Sequence, residues 1–161
     1  DGTADKLQVN VSSFNNPVTD TYATLAVDNT CQIDAVSAAG EDTNTATDPG
    51  FDYPAGLLDF VLDCATPGFT ATVTQYFYGI EKSNLILRKY NSVNHSYSTV
   101  LGAVLEDVTI GGEQAVKVTY TIVDGGPLDE DGIANGAIID PSGVAMSIIG
   151  APNTGVGGAY R

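Results

Sequence analysis

Residues 114–123 read QAVKVTYTIV, and the alternation in this stretch decides the fold class. Every second residue is apolar, and these side chains share one face: Val116, Val118, Tyr120 and Ile122. A period of two residues is typical of a strand with one buried face. GGE at 111–113 comes directly before it and indicates a hairpin turn.

The same pattern recurs in short segments along the chain. We predict further strands at 6–14, 22–27, 31–36, 57–64, 69–78, 84–90, 97–108, 136–140 and 144–150. No segment longer than ten residues has a helical period. Many short strands separated by turn residues predict a single all-β domain over residues 1–150, an antiparallel β-sandwich of immunoglobulin-like or jelly-roll-like type. An antiparallel barrel is the alternative. Residues 37–50 are predicted to form a polar loop, and 151–161 a Gly-rich tail or linker.

The charge of the chain argues against two classes of partner. Its 161 residues carry a formal net charge of −14, and no Lys or Arg lies between Lys6 and Lys82 or between Lys117 and Arg161. Such a surface repels phosphate backbones and anionic lipid, so we expect neither nucleic-acid binding nor docking on membranes. No apolar run is long enough to predict membrane insertion.

Two cysteines, Cys31 and Cys64, are the basis for a prediction about the compartment. With a single histidine, His95, the chain offers too few good ligands for a structural zinc site. A Cys31–Cys64 disulfide is therefore predicted, and with it an oxidising, extracellular location. Two unpaired buried thiols are the alternative.

The stretch DGGPLDEDGIANGAIIDPSG at 124–143 crowds acidic residues among glycines. Carboxylate, amide and carbonyl oxygens are the ligands that calcium prefers, and it binds them in tightly curved loops. We predict a calcium site built from Asp124, Asp129, Asp131, Asn135 and Asp140. The spacing is not that of an EF-hand, because Ile138 stands where the closing glutamate would be. A solvated acidic turn without an ion is the alternative. DGTAD at 1–5 resembles the end of an aspartate repeat, so Asp1 and Asp5 are candidates for a second metal site.

Four segments resemble the bacterial choice-of-anchor U domain. They are YPAGLLDF at 53–60, TPG at 66–68, RKY at 88–90 and the acidic segment 124–141, within a matching portion of about residues 51–145. The chain departs from many members of that family in having no Trp after the RKY-like strand, where NHSYS stands at 94–98. The resemblance implies a module of large secreted bacterial proteins that are held at the cell surface, with no catalytic activity.

We do not expect an enzyme, because His95 lies in the polar, turn-like SVNHSYS and offers no triad. The predicted function is a calcium-stabilised structural module of a secreted bacterial cell-surface protein: a stalk, adhesin or filament subunit. Its partners would be copies of itself or neighbouring domains of the parent protein, with strand exchange between copies through 6–14 or 144–150. The alternative is a calcium-dependent carbohydrate-binding or surface-binding module that contacts glycans through Tyr53, Tyr90 or Tyr97.

Overall fold

The computed structural model describes residues 8–148 of the chain. Within them lie eleven strands: β1 (Val11–Asn16), β2 (Thr21–Val27), β3 (Gln32–Ala39), β4 (Phe51–Asp52), β5 (Leu57–Asp63), β6 (Thr70–Tyr78), β7 (Leu85–Asn91), β8 (Ser96–Thr99), β9 (Val104–Ile110), β10 (Glu113–Val123) and β11 (Ala137–Ser147). A short 3-10 turn, Glu41–Thr43, lies between β3 and β4. Residues 1–7 and 149–161 lie outside the described residues, and with them the predicted ligands Asp1 and Asp5 and the predicted tail.

The strands form two antiparallel sheets that enclose one main core. The first sheet has the order β1-β2-β6-β10-β9, and the second has the order β3-β5-β11-β7-β8, with β4 paired to β11. Four side chains of β10 were predicted to share one face, and all four are buried between the sheets: Val116, Val118, Tyr120 and Ile122. The prediction of an all-β antiparallel sandwich is therefore confirmed.

Several predicted strand boundaries are wrong. β3 continues to Ala39 and so takes the first three residues of the predicted loop 37–50, and two other segments differ more strongly. The segment 97–108 holds two strands, β8 and β9, which belong to different sheets. The segments 136–140 and 144–150 were predicted as separate strands, but β11 runs through Pro141, Ser142 and Gly143 without a break. Proline interrupts the hydrogen-bond ladder of a sheet because it has no N–H. Pro141 is not part of the ladder between β11 and β7, because that pairing begins at Ser142, one residue later. On the other side Pro141 lies opposite Asp59 of β5.

Gly143 explains how β11 fits between its neighbours. A methyl group at this position would overlap the carbonyl oxygen of Gly56 and would lie 3.0 Å from Leu57 Cα. Glycine permits this close approach of two backbones because it has no Cβ. β11 is the central strand of its sheet, with β5 on one side and β7 on the other. The prediction that residues 144–150 provide an edge strand is wrong for its described part.

The predicted disulfide between Cys31 and Cys64 is present, and it joins the beginning of β3 to the end of β5. The loop 40–50 leaves β3 at the opposite end from this bond. A disulfide is consistent with a location outside the reducing cytoplasm. Among residues 8–148 there is no helix with the length and apolarity needed to cross a bilayer.

Candidate functional site

Asp124 holds together one end of the sandwich. Its carboxylate is 2% exposed and accepts hydrogen bonds from the backbone N–H groups of Gly68 at 2.8 Å and Gly136 at 2.7 Å. The N–H of Asn135 lies 3.4 Å from the other oxygen. Burial alone would raise the pKa of Asp124, but these amide hydrogen bonds favour its ionised form, and its pKa lies below the ordinary value. The residue thus joins the turn between β5 and β6 to the beginning of the acidic stretch and to Gly136, directly before β11.

Asp129 has a similar role inside the acidic stretch. Its two oxygens accept from the backbone N–H of Gly125 at 2.9 Å and of Ile139 at 3.1 Å. Burial raises its pKa, opposed by these two amides, and the nearby charges of Asp131 and Asp124 raise it further. Gly125 permits the tight path of the stretch, because it has a φ of +81° and a Cβ there would lie 2.7 Å from Ala134 N.

Asp131 is half-buried and Asn135 is exposed, and their side chains bond each other and nearby residues of the turn. Asp131 accepts from the backbone N–H of Ile133 at 2.8 Å and from the side-chain amide of Asn135 at 3.1 Å. Asn135 in turn accepts from the N–H of Ala137 at 2.8 Å. These bonds have the form of Asx turns, which cap a chain reversal without an ion.

The five predicted calcium ligands are not brought together around one point. Asp140 faces the interior of the sandwich, and the oxygens of Asp124 and Asp129 are taken up by backbone amides. In residues 8–148 no group of three or more His, Cys, Asp or Glu side chains is placed to hold a metal ion. Calcium binding therefore stays a prediction from the sequence, and the hydrogen bonds provide a second explanation for the acidic residues.

Asp140 belongs to a cluster of polar side chains in the middle of the core, which we call the interior polar cluster. Its members are 0–4% exposed: Gln75, Lys89, Tyr120, Asp140 and Ser142. Lys89 Nζ lies 2.7 Å from Asp140 Oδ1. Tyr120 donates to Asp140 Oδ2 at 2.5 Å, and Ser142 Oγ lies 3.2 Å from the same oxygen. Gln75 Nε2 donates to Tyr120 and Ser142 at 3.2 and 3.0 Å.

Sequence patterns did not single out most of this cluster, although a signal was present. Residues at alternating positions of a strand share a face. Lys89 therefore shares the face of Leu85 and Leu87, and Asp140 and Ser142 share the face of Ile138 and Val144. Gln75 follows Ala71 and Val73 in the same way. A polar residue that interrupts a core-facing alternation is thus the feature that predicts a buried polar group.

The three tyrosines predicted as sugar contacts do lie together, on the outer face of the second sheet. The ring centroids of Tyr97 and Tyr90 are 4.8 Å apart, and those of Tyr97 and Tyr53 are 6.0 Å apart. Tyr53 and Tyr90 are buried, and the loop 40–50 contacts the cluster through Asn44, whose amide donates to the Tyr97 hydroxyl at 3.0 Å. The rings form a small second core. They do not present an open platform for a sugar.

His95 is exposed in the turn between β7 and β8, with a φ of 57°.

Comparison of the chain with protein-family models, with curated proteins and with solved structures finds no match in any of the three. The resemblance to the choice-of-anchor U domain therefore stays an expectation based on the residues quoted for it.

Proposed function

We propose that the chain is a non-catalytic structural module of a secreted bacterial cell-surface protein. The observation that supports this most directly is the fastening of one end of the sandwich. There the Cys31–Cys64 disulfide and the Asp124 carboxylate connect the beginning of β3, the end of β5, the turn after β5, the end of β10 and the beginning of β11. Cys64 also donates its N–H to Gly136 O at 2.8 Å. Five chain segments are thus fixed at one place, and this cross-linking supports a structural role.

The edge strands support a particular way of assembling copies. Proteins protect sheet edges with charges, bulges or short strands, since an open edge pairs with other chains. Edge strand β9 carries Glu106 and Asp107, β3 has an irregular register at Asp34, and β8 has four residues. Edge strand β1 reads VSSFNN and carries no charged side chain, and the segment before it lies against β3, where the N–H of Ile33 donates to Val9 O at 2.8 Å. Copies of the chain associate by pairing of β1 with a neighbouring sheet edge.

Location and assembly are tested separately. An antibody raised against the purified domain labels intact bacterial cells that carry the parent protein, and protease added to those cells removes the label. Labelling only after the cells are broken would overturn the proposed location. Assembly is measured by light scattering and negative-stain microscopy over a range of protein concentrations.

A matched pair of variants tests whether β1 is the contact. Val11 and Val104 are the first residues of edge strands β1 and β9. Val11→Lys places a charge on an edge strand that carries none, and it shifts the assemblies to monomers. Val104→Lys adds the same charge to an edge that is already acidic and leaves assembly unchanged. Strand pairing through β1 would be overturned if the wild-type protein stayed monomeric at every concentration. It would also be overturned if the two variants had equal effects on assembly.

A further inference from the structure

The buried pair Lys89 and Asp140 has an unusual balance of donors and acceptors. An ammonium group has three N–H donors, but in the described chain the one hydrogen bond of Lys89 Nζ goes to Asp140 Oδ1, at a site that is 3% exposed. Asp140 Oδ2 already lies within hydrogen-bond distance of the hydroxyls of Tyr120 and Ser142. The ammonium group of Lys89 thus lies in the core with one acceptor for its three donors, which is costly.

We infer that Lys89 and Asp140 condense to an isopeptide bond, an amide between Nζ and Cγ that joins β7 to β11. The amide would remove both charges and two of the three nitrogen donors. It would keep Oδ2 as its carbonyl oxygen, with the same donors from Tyr120 and Ser142. Oδ1, whose partner is the nitrogen itself, is the oxygen that leaves. The inference does not depend on the proposed function.

The positions of the two residues suit this reaction. Lys89 lies opposite Ser142 in the register of β7 and β11, so Asp140, two residues from Ser142, is its diagonal neighbour on the same core-facing side. Attack on a carboxyl carbon needs the nitrogen at about 3–3.5 Å from that carbon. The ion pair already holds Nζ 2.7 Å from an oxygen bonded to Cγ, and the lysine stem is flexible enough to turn the nitrogen toward the carbon.

The step needs no other reactant. One proton passes from Nζ to Oδ1 along their hydrogen bond, and this yields the neutral amine that attacks and the carboxylic acid that loses water. The amine lone pair forms the bond to Cγ. The Cγ–Oδ1 bond then breaks, and Oδ1 leaves as water with the first proton and a second one from the nitrogen. One ammonium and one carboxylate give one amide and one water molecule.

Tyr120 is the positioning residue for the reaction. Its hydroxyl donates to Asp140 Oδ2 at 2.5 Å, where negative charge develops when the nitrogen attacks, and such donors lower the barrier. Burial and the charge of Asp140 raise the pKa of Tyr120 well above its ordinary value, so the hydroxyl keeps its proton. Gln75 holds Tyr120 and Ser142 through Nε2, and its Oε1 is a buried acceptor without a partner in residues 8–148.

Mass spectrometry of the reduced, unfolded protein tests the bond. We expect a mass lower than that of the sequence by one water molecule. Succinimide formation at Asp124–Gly125 or Asp131–Gly132 would remove the same mass, so digestion with trypsin decides between them. Trypsin does not cut after an acylated lysine, and the bond gives a branched product in which 89–117 is joined to 118–161. An unchanged mass, or free peptides 90–117 and 118–161, would overturn the inference.

Two variants complete the test. Lys89→Met combined with Asp140→Leu removes both charges together, keeps the core apolar, and has the mass of its sequence with no branched peptide; a branched peptide in this variant would also overturn the inference. Tyr120→Phe keeps the ring and removes the donor. In freshly made protein we expect it to show a larger unlinked fraction that declines more slowly than in the wild type. Equal time courses would overturn the role of Tyr120.

Discussion

Arg88 and Asp48 are joined by two parallel hydrogen bonds, from Nε to Oδ2 and from Nη2 to Oδ1, each 2.9 Å long. Asp48 is in the loop 40–50, and Arg88 is in β7. The Tyr53 hydroxyl donates to the same carboxylate at 2.7 Å, and the guanidinium lies 4.0 Å from the centre of the Phe51 ring. The planar fork of arginine suits this bidentate contact. The loop is therefore fixed to the outer face of the second sheet by a partly buried charge pair.

Replacement of this arginine is expected to loosen the loop. Arg88→Gln leaves the buried Asp48 carboxylate without its cation, and we expect a loss of about 2–3 kcal/mol in the free energy of unfolding. Lys82→Gln makes the same change of charge at an exposed position and is the control. Denaturant unfolding measures the loss, and hydrogen exchange reports faster opening of residues 40–50. Equal stability of the two variants would contradict the role given to the pair.

Asp124→Asn tests the fastening of the acidic stretch. The amide keeps the shape of the side chain, and its oxygen can still accept from Gly68 and Gly136, which bond the same carboxylate oxygen. The negative charge is lost, however, and an NH2 group replaces the oxygen that faces the N–H of Asn135. We expect a loss of about 1–3 kcal/mol in the free energy of unfolding. Asp131→Asn is the control, because its side chain is only half-buried and bonds only within the turn. If Asp131→Asn costs as much as Asp124→Asn, burial and amide bonding do not distinguish the two aspartates.

The lowered pKa of Asp124 predicts a dependence on pH. A carboxyl whose pKa is lower in the folded state stabilises the protein above its unfolded pKa, and that stability is lost as the pH falls through the folded pKa. Asp129 has a raised pKa and acts in the opposite direction, so the wild-type curve mixes the two. The difference between wild type and Asp124→Asn reports the charge of Asp124, together with its effect on the pKa of the neighbouring Asp129. It should be constant above about pH 5 and shrink below about pH 4. A difference that does not change with pH would show that the charge of Asp124 contributes nothing.

Calcium binding remains to be tested on the whole acidic stretch. An ion that binds only the folded state would raise the free energy of unfolding by about 2.7 kcal/mol at a hundredfold excess over its Kd. The variant with Asp129→Asn and Asp131→Asn together should lose this gain. Asp129 also accepts hydrogen bonds from two backbone amides, so its replacement affects stability without calcium as well. The comparison is therefore between the increases in the free energy of unfolding that calcium produces in the wild type and in the variant. The same melting temperature in calcium and in chelator would contradict the calcium prediction.

Strands with a regular alternation were predictable because local side-chain order decides them. The alternation of β10 continues without interruption, and the predicted segment 114–123 agrees with the observed Glu113–Val123. Elements that depend on distant partners were not predictable in this way. The sequence DPSG at 140–143 has the residues of a turn, yet β11 continues through it because β5 and β7 supply ladders on both sides. Only the pairing of strands far apart in the chain decides that outcome.

The contacts of the candidate site were also beyond what local sequence patterns could predict. Counting acidic residues predicted that Asp124, Asp129 and Asp140 would share an ion, since all three lie within one short stretch. Their side chains instead reach three different environments: a ring of backbone amides at the end of the sandwich, the inside of the turn, and the core. Strand parity assigns Asp140 to the core. No pattern in the sequence identifies Gly68 and Gly136 as the partners of Asp124, because that contact follows from the tertiary structure.

The close contact at Gly143 gives a prediction about the central strand. Gly143→Ala would force the added methyl group against the carbonyl of Gly56 and Cα of Leu57, which are backbone atoms and cannot rotate away. We expect a loss of about 3 kcal/mol in the free energy of unfolding. Gly40→Ala is the control, because its Cβ would meet only the exposed, movable Asp42 carboxylate, 2.5 Å from Oδ1, and it should change stability by less than about 0.5 kcal/mol. Denaturant unfolding of both variants checks this. If Gly143→Ala were as stable as the wild type, β11 and the segment before β5 would be able to separate, and the contact at Gly143 would not be tight.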